Sequence, residues 1–231
     1  MIVYAQDRIW EHFQNGSEAT FGAATGRLDY LVRRIRNLDG QGPLNVLNIG
    51  TGDGYLEKRV KAQGWESYAL DPNPAAIERL AQEGIQGRVG RIEQIPFADG
   101  MFDVVVVSEV LEHISENQLP EALREIERVL ARGGHLVGTV PYRERLEDWR
   151  VVCPSCGDIF HRWGHQSSFD ERSMSRRISE LFEIEALGPK YLPPWRRLNW
   201  KGTLTAILKW SLANLGVHGS GENLFFLAKK V

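Results

Sequence analysis

The chain has 231 residues, of which 25% are charged, and a net charge of −2 at neutral pH. That length suits a single domain over residues 1–231, and the near-neutral charge excludes a strongly basic nucleic-acid-binding surface while leaving room for a local basic patch. No apolar run reaches the roughly 18–20 residues that a membrane-spanning helix needs, and the first residues lack the apolar core of a signal peptide. The two cysteines lie close together, unlike a secreted disulfide framework. We therefore expect a cytoplasmic protein.

The first informative segment is an apolar strand that ends at Ile49 and runs into a glycine-rich turn. Gly50, Gly52 and Gly54 let the backbone turn tightly and approach a ligand closely, and a helix follows over residues 55–61. A second strand, over residues 65–70, ends in Asp71, whose carboxylate can accept hydrogen bonds from the ribose hydroxyls of a nucleoside cofactor. The alternative interpretation is an ordinary strand–turn–helix joint with incidental glycines.

The spacing of this turn indicates which nucleoside cofactor it binds. A dinucleotide-binding turn usually reads GxGxxG, with a pyrophosphate at the helix N-terminus. This chain has GxGxG with Asp53 inside the turn, and a carboxylate there repels a pyrophosphate but suits a cationic ligand. S-adenosylmethionine (SAM), which carries a sulfonium and an ammonium group, fits that requirement.

Strands and helices alternate through the rest of the chain. Asn73 and Pro74 are typical of a helix start, and the four consecutive valines from Val104 to Val107 are typical of a strand buried on both faces. This alternation predicts a doubly wound α/β fold with a parallel sheet. The remaining predicted strands cover residues 85–89, 135–140, 182–187 and 223–229, the later helices cover 119–131, 169–181 and 204–215, and the segment 141–168, rich in Trp, Cys and His, interrupts the alternation.

Four stretches together resemble the class I SAM-dependent methyltransferases. They are Val-Leu-Asn-Ile-Gly-Thr-Gly-Asp-Gly at 46–54, Leu-Asp-Pro at 70–72, Ile-Pro-Phe-Ala-Asp-Gly-Met-Phe-Asp-Val-Val-Val at 95–106 and Arg-Val-Leu-Ala-Arg-Gly-Gly at 128–134. Within that class the chain looks most like ubiquinone-biosynthesis-type small-molecule O-methyltransferases. The resemblance implies a seven-stranded sheet whose last strand is antiparallel, an N-terminal helical lid over residues 1–40, and a cofactor site formed by Asn48, Gly50, Thr51, Gly52, Asp53, Gly54, Asp71, Pro72, Arg91, Ile92 and Ser108.

Two of these positions depart from the family pattern. The family usually has an acid where this chain has Asn48, and often has Asp where this chain has Arg91. An amide still accepts a hydrogen bond but brings no charge to the SAM ammonium. These departures bear on the affinity for SAM, and they keep open a zinc-containing SAM-binding module that has lost turnover.

A second set of polar residues follows the fourth strand. Glu109, Glu112 and His113 face one way if they form a helical turn, and two carboxylates with an imidazole suit a divalent cation. The sequence ExxEH resembles the metal-binding element of small-RNA 3′-terminal 2′-O-methyltransferases, and residues 164–169 resemble their later segment, which adds His165. We expect His113 and His165 to be catalytic, with the four residues holding a catalytic divalent cation; the alternative is that this turn only forms the floor of the SAM pocket.

The segment 141–168 contains a third set of candidate ligands. Cys153 and Cys156 belong to a CPxCG sequence, followed by His161 and His165, and this spacing is close to a compact Cys₂His₂ zinc site. His165 can serve only one of the two metals. The family resemblance assigns it to the site with Glu109, Glu112 and His113, which leaves Cys153, Cys156 and His161 for a structural zinc. If His165 binds the zinc instead, the catalytic metal site loses its fourth ligand. The alternative is a pair of reduced cysteines with a packed His161.

The residues indicate a SAM-dependent methyltransferase that methylates a hydroxyl of a small molecule or of a lipid- or glycan-linked acceptor. A 2′-O-methyltransferase of RNA 3′ ends is the alternative, although the sequence shows no long basic stripe. Tryptophans at 149, 163, 195, 200 and 210 favour core and lid packing or an aromatic-walled acceptor pocket. The apolar stripe within 195–217, with tryptophan and basic residues at its start, adds a peripheral membrane contact as a third interpretation.

Overall fold

The computed structural model of the protein describes residues 5–16, 19–38, 42–219 and 221–231. Within them, seven strands form one sheet in the order β3-β2-β1-β4-β5-β9-β8, and two short strands form a separate hairpin. The strands are β1 (Asn45–Ile49), β2 (Glu66–Asp71), β3 (Gln86–Val89), β4 (Phe102–Ser108), β5 (Leu130–Pro141), β6 (Arg150–Val152), β7 (Ile159–His161), β8 (Phe182–Lys190) and β9 (Asn223–Lys230).

Helices cover both faces of the large sheet. They are α1 (Ala5–Gly16), α2 (Ala19–Gly22), α3 (Thr25–Arg36), α4 (Tyr55–Lys61), α5 (Pro74–Gln82), α6 (Leu119–Val129), α7 (Glu171–Ile178) and α8 (Trp200–Asn214), with short 3₁₀ turns at Leu111–His113, Leu146–Trp149 and Trp195–Arg197. Strand β9 is antiparallel to both of its neighbours, whereas β1 to β5 are parallel. The predicted seven-stranded fold with its antiparallel last strand is therefore confirmed.

The valine run of β4 explains why the sheet is covered on both sides. Successive strand residues point to opposite faces, so Val104 and Val106 pack with Leu31 of α3, while Val105 and Val107 pack with Ile126 of α6. All four valines are almost fully buried. The two layers fix β4 at the centre of the sheet, and they fix the carboxyl ends of β1, β2 and β4 at one edge.

The element boundaries differ from the sequence prediction in a few places. We expected Arg132 to Gly134 to end a helix, but α6 ends at Val129 and β5 already begins at Leu130, which pairs with Phe102. A register shift in that pairing accommodates Gly133, whose φ is 75°. The segment 141–168 contains the β6–β7 hairpin, and the described part of 1–40 forms α1 to α3; residues 1–4, 17–18 and 39–40 of that segment lie outside the described residues.

Candidate functional site

The glycine-rich turn after β1 depends on backbone angles that other residues rarely adopt. Gly50, Gly52 and Gly54 have φ values of 82°, 55° and 81°. A Cβ at Gly50 would lie 2.8 Å from Val110, and one at Gly54 would lie 2.7 Å from Leu80, both too close for normal contact. Gly54 is the N-cap of α4 and has a left-handed conformation, so the turn leads directly into that helix.

The carboxylate of Asp71 connects this turn to the next strand and to α1. Its Oδ2 accepts hydrogen bonds from the backbone N–H of Thr51 at 2.9 Å, from the Thr51 hydroxyl at 3.0 Å and from the Gln14 amide at 3.0 Å. Its Oδ1 accepts from the backbone N–H of Asn73 at 2.8 Å, and Asn73 in turn donates to Gln14. The buried Asp71 carboxylate therefore links the turn after β1, the start of α5 and helix α1.

A second buried acid lies directly behind Asn48. The Asn48 amide donates to Glu57 Oε1 at 2.8 Å, while its own Oδ1 is buried and has no hydrogen-bond partner among the described residues. Burial raises the pKa of Glu57 to about 8, against a weaker lowering by the Asn48 hydrogen bond. Where the family usually has an acid on β1, this chain has the amide of Asn48, which donates a hydrogen bond to Glu57 of α4, an acid whose raised pKa favours its neutral form.

The turn opens onto a cleft of about 1890 Å³ at the carboxyl edge of the sheet. It is lined by ten of the eleven residues predicted to hold the cofactor, which are Asn48, Gly50, Thr51, Gly52, Asp53, Asp71, Pro72, Arg91, Ile92 and Ser108. Gly54 is buried beneath the turn and does not line the cleft. The same cleft is lined by Glu109, Glu112, His113 and His165, so the two predicted sets of residues share one cavity.

The segment after β4 does not form the helical turn that the sequence predicts. Glu109 has a φ of 58°, a left-handed conformation that is strained for a residue with a side chain. Its carboxylate accepts from Asn223 at 3.0 Å and lies 3.9 Å from the Arg27 guanidinium, which also donates to Ser108 at 3.0 Å. Glu109 therefore faces α3 and β9, and in the described residues it is not grouped with Glu112 and His113 as a metal ligand.

Glu112 and His113 lie in the 3₁₀ turn that follows, and burial shifts the pKa of each side chain toward its uncharged form. Glu112 is fully buried with neither carboxyl oxygen hydrogen-bonded among the described residues. Burial, with a contribution from Glu109, raises the pKa of Glu112 well above its ordinary range. Burial lowers the pKa of His113 to about 3, and His165, whose ring centroid is 4.7 Å away, adds to that effect.

His165 is oriented by Glu144, in the loop after β5. His165 Nδ1 and Glu144 Oε2 form a short hydrogen bond. Because a carboxylate accepts, neutral His165 carries its proton on Nδ1 and leaves the lone pair on Nε2. The other Glu144 oxygen lies 3.8 Å from His161 Nε2.

His161 stacks on His165 at 4.6 Å and accepts two backbone N–H bonds at Nδ1, from Trp163 at 3.3 Å and His165 at 3.1 Å. Its own proton is therefore on Nε2, facing Glu144. That tautomer has no lone pair on Nε2 for a metal. Glu144 and His165 form a hydrogen-bonded acid–base pair, whereas His161 Nε2 is buried and makes no hydrogen bond among the described residues. The ligand atoms of Glu144, His161 and His165 also lie within 4.8 Å of one another, as the ligands of one metal ion would.

The structure does not bring His161 together with the two cysteines. Cys153 donates its backbone N–H to Asp158 near the tip of the β6–β7 hairpin, whereas His161 pairs with Arg150 at the other end. Asp158 and His161 are three positions apart along the strand, which is about 10 Å at ~3.4 Å per residue. Among the described residues, neither group whose ligand atoms lie close together contains a cysteine, so a zinc ion held by Cys153, Cys156 and His161 stays a prediction. The hydrogen bond to Ser155 lowers the pKa of Cys153 to about 7, which favours a thiolate.

Four residues of the site are absent from the sequence prediction. Glu144 lies in the run Arg143–Arg145, which is typical of a solvent-exposed loop, and Glu57 occupies an ordinary helix position. Arg27 and Gln14 reach the site from the N-terminal helices. No local spacing in the sequence identifies any of them.

The order of the seven strands, with an antiparallel last strand, is that of the class I methyltransferase fold. The glycine turn and the acid at the end of β2 lie at the carboxyl edge of the strands, where open α/β sheets bind their ligands. Residues 47–138 match the family model described as a methyltransferase domain.

Named relatives agree with that assignment. An uncharacterized methyltransferase of Mycobacterium tuberculosis is 31% identical over 124 residues, covering 51% of this chain and 50% of that protein. A ubiquinone biosynthesis O-methyltransferase of Rickettsia felis is 26% identical over 165 residues, covering 68% of this chain and 65% of that protein. The chain thus spans half the length of the first relative and less than two thirds of the second.

A solved structure gives the same fold. The 1,6-didemethyltoxoflavin-N1-methyltransferase of Burkholderia thailandensis, with bound 1,6-didemethyltoxoflavin and S-adenosylhomocysteine, aligns with a TM-score of 0.68 over 98% of this chain and 87% of that chain. At 15% sequence identity this likeness shows the fold alone.

The buried acid behind Asn48 predicts an unusual pH dependence of stability. Between about pH 4.5 and 8 the unfolded chain releases the Glu57 proton that the folded chain keeps, so the free energy of unfolding falls as the pH rises through this window. Glu57→Gln removes this contribution to the pH dependence, whose slope is up to about 1.4 kcal/mol per pH unit. We expect thermal unfolding to show that the stability of the variant relative to the wild type increases from about pH 5 to about pH 8. Exposed Glu78→Gln on α5 is the control; a Glu57→Gln curve parallel to the wild type would contradict the assignment.

Proposed function

We propose that this protein is a SAM-dependent methyltransferase that methylates a hydroxyl group of a small-molecule or a lipid- or glycan-linked acceptor. The observation that carries the proposal is that the glycine turn with Asp71 and the buried group of Glu112, His113 and His165 line the same cleft. One end of the cleft is thus suited to a nucleoside and the other to acid–base chemistry.

The residues present fit SAM. Asn48 Oδ1 is a buried acceptor without a partner in the described chain, as a cofactor ammonium requires, and a side chain at Gly50 or Gly54 would clash with its neighbours. Asp71 would hold the ribose hydroxyls in place of the Gln14 amide. When bound, SAM supplies an electrophilic methyl group on a sulfonium.

The acceptor would be bound and deprotonated by the chain's own residues. His165 Nε2, which faces away from Glu144, is suited to take a proton from an acceptor hydroxyl, and the Glu144 carboxylate stabilises the imidazolium that results. Burial raises the pKa of Glu112, which favours its protonated form, and a protonated carboxyl can donate a hydrogen bond. The name of the Rickettsia felis relative supports O-methylation, and the two free cysteines are compatible with the expected cytoplasmic location.

A metal-assisted version of the same reaction is the second candidate. The ligand atoms of Glu112, His113 and His165 lie within 4.8 Å of one another, and the two Glu112 oxygens lack partners in the described chain. These donors fit a borderline divalent cation, which would lower the pKa of an acceptor hydroxyl. Elemental analysis of protein purified without added metal distinguishes the two: a stoichiometric metal that is lost in Glu112→Gln favours this version, and its absence favours His165 as the base.

The cofactor assignment predicts that Asp71→Ala weakens SAM binding. Loss of charge-assisted hydrogen bonds to the ribose should raise the dissociation constant by about 10- to 100-fold in isothermal calorimetry. Glu66→Ala, an exposed acid at the opposite end of the same strand, should leave it unchanged. Equal affinity for SAM in the wild type and Asp71→Ala would contradict the proposed cofactor site.

The assignment of His165 as the base predicts a specific effect of Glu144→Gln. Without the carboxylate, His165 loses the partner that fixes its tautomer, so turnover should fall by about 100-fold or more while SAM affinity stays the same. Turnover can be followed as S-adenosylhomocysteine release with a panel of phenols and polyols, next to amine and thiol acceptors. ¹⁵N NMR of labelled histidine should show the change in the His165 tautomer without any acceptor.

Glu147→Gln, an exposed acid in the same loop, is the matched control for Glu144. Unchanged turnover and an unchanged imidazole signal in Glu144→Gln would refute the positioning role. Release of S-adenosylhomocysteine only with amine or thiol acceptors would refute methylation of a hydroxyl, but it would not contradict the proposed cofactor site.

A further inference from the structure

Helix α8 presents most of its apolar side chains to solvent. Ala206 alone is buried among its fifteen residues, all of which the structure describes. Trp200, Leu204 and Leu208 are 70%, 59% and 61% exposed. Further exposed apolar residues on the helix and just after it are Ile207, Trp210, Leu212, Leu215 and Val217. A helix that is apolar on several sides is normally covered by protein or lipid.

The charge around α8 has a single sign. Between Glu185 and Glu222 the sequence has no acidic residue, while it has five basic ones, at Lys190, Arg196, Arg197, Lys201 and Lys209. Lys201 lies over the ring of Trp200, and Lys209 lies over the ring of Tyr191, with the ammonium groups 5.5 Å and 5.7 Å from the ring centroids. The exposed apolar surface is therefore accompanied by exposed cations and aromatic rings.

These features match the interface of a membrane with an anionic surface. Apolar side chains enter the acyl boundary, tryptophans lie at the headgroup level, and basic side chains bind anionic headgroups. At fifteen residues α8 is about 22 Å long, which is too short to cross a bilayer. None of the helices in the described ranges is both long and apolar enough to span a membrane.

A second copy of the chain is a poorer occupant of this surface. Two copies that met through α8 would bring Lys201, Lys209 and the basic turn at Arg196–Arg197 against their own like charges, with no acid in the segment to pair with them. We propose that α8 and the turn before it lie in the interface of an anionic lipid bilayer.

The same segment is in contact with the lid side of the cleft. A Cβ at Gly22 would overlap the Arg197 guanidinium, and one at Gly26 would lie 2.1 Å from the Pro193 carbonyl oxygen. The helices that carry these glycines also supply Phe21 and Arg27 to the cleft wall. Binding through α8 would thus bring the lid side of the cleft to the bilayer surface, and, resting on the proposed function, it favours an acceptor hydroxyl on a lipid-linked molecule.

Vesicle co-sedimentation tests the proposal on the full chain. Vesicles of phosphatidylcholine mixed with phosphatidylglycerol should bind the wild type, with binding reduced by salt, and vesicles of phosphatidylcholine alone should bind it more weakly. Lys201→Glu with Lys209→Glu should reduce partitioning to the anionic vesicles by about tenfold or more. Leu204→Gln with Leu208→Gln should reduce it by a similar or larger factor through lost apolar burial.

Arg132→Glu with Arg172→Glu is the control, because these exposed residues give the same charge change outside α8. SAM affinity, measured on every variant, reports that the fold is intact and separates this proposal from the proposed function. The proposal would be overturned if the wild type did not bind anionic vesicles. It would also be overturned if the control pair lost as much vesicle binding as the lysine variant. Sedimentation of the wild type as a dimer that the leucine variant converts to a monomer would overturn it as well, since that assigns α8 to a second copy.

Discussion

The site depends on one buried carboxylate, that of Asp71. It ends β2, yet its oxygens accept hydrogen bonds from the turn after β1, from the start of α5 and from Gln14 of helix α1. A buried anion is costly unless several donors surround it, so these four parts of the chain are held at fixed relative positions. The close turn through Gly50, Gly52 and Gly54 makes that arrangement sterically feasible.

A second group of ionisable residues occupies the other side of the same cleft, and burial rather than ion pairing sets its charge states. Burial raises the pKa of Glu112 and lowers that of His113, in each case toward the uncharged form, whereas His165 is hydrogen-bonded to Glu144. Separate environments for neighbouring acids and bases are how active sites assign proton donors and acceptors. The strained backbone at Glu109 turns that carboxylate toward Arg27 and Asn223. Glu112 is therefore grouped with His113 and His165 but not with Glu109.

The sequence allows the fold, and the position of the glycine turn and Asp71 in one cleft, to be predicted because both depend on local patterns. The strand–turn–helix with its glycines and the acid at the end of the next strand are contiguous segments, and alternating strands and helices define the sheet. The acid–base half depends on features that have no local signature. Glu109 adopts a left-handed conformation where helical spacing was assumed, and the hairpin register separates His161 from Cys153 although four residues separate His161 from Cys156 in the chain. Glu144 reaches His165 from a charged loop that resembles a solvent-exposed one.

The most direct test of this account is a crystal structure of the protein with S-adenosylhomocysteine. We predict that the ribose hydroxyls lie within hydrogen-bonding distance of Asp71, about 2.6–3.2 Å, with the Gln14 amide displaced and the sulfur facing the cleft wall formed by Glu112 and His165. A nucleoside bound elsewhere, or a sulfur directed away from Glu112 and His165, would contradict the account.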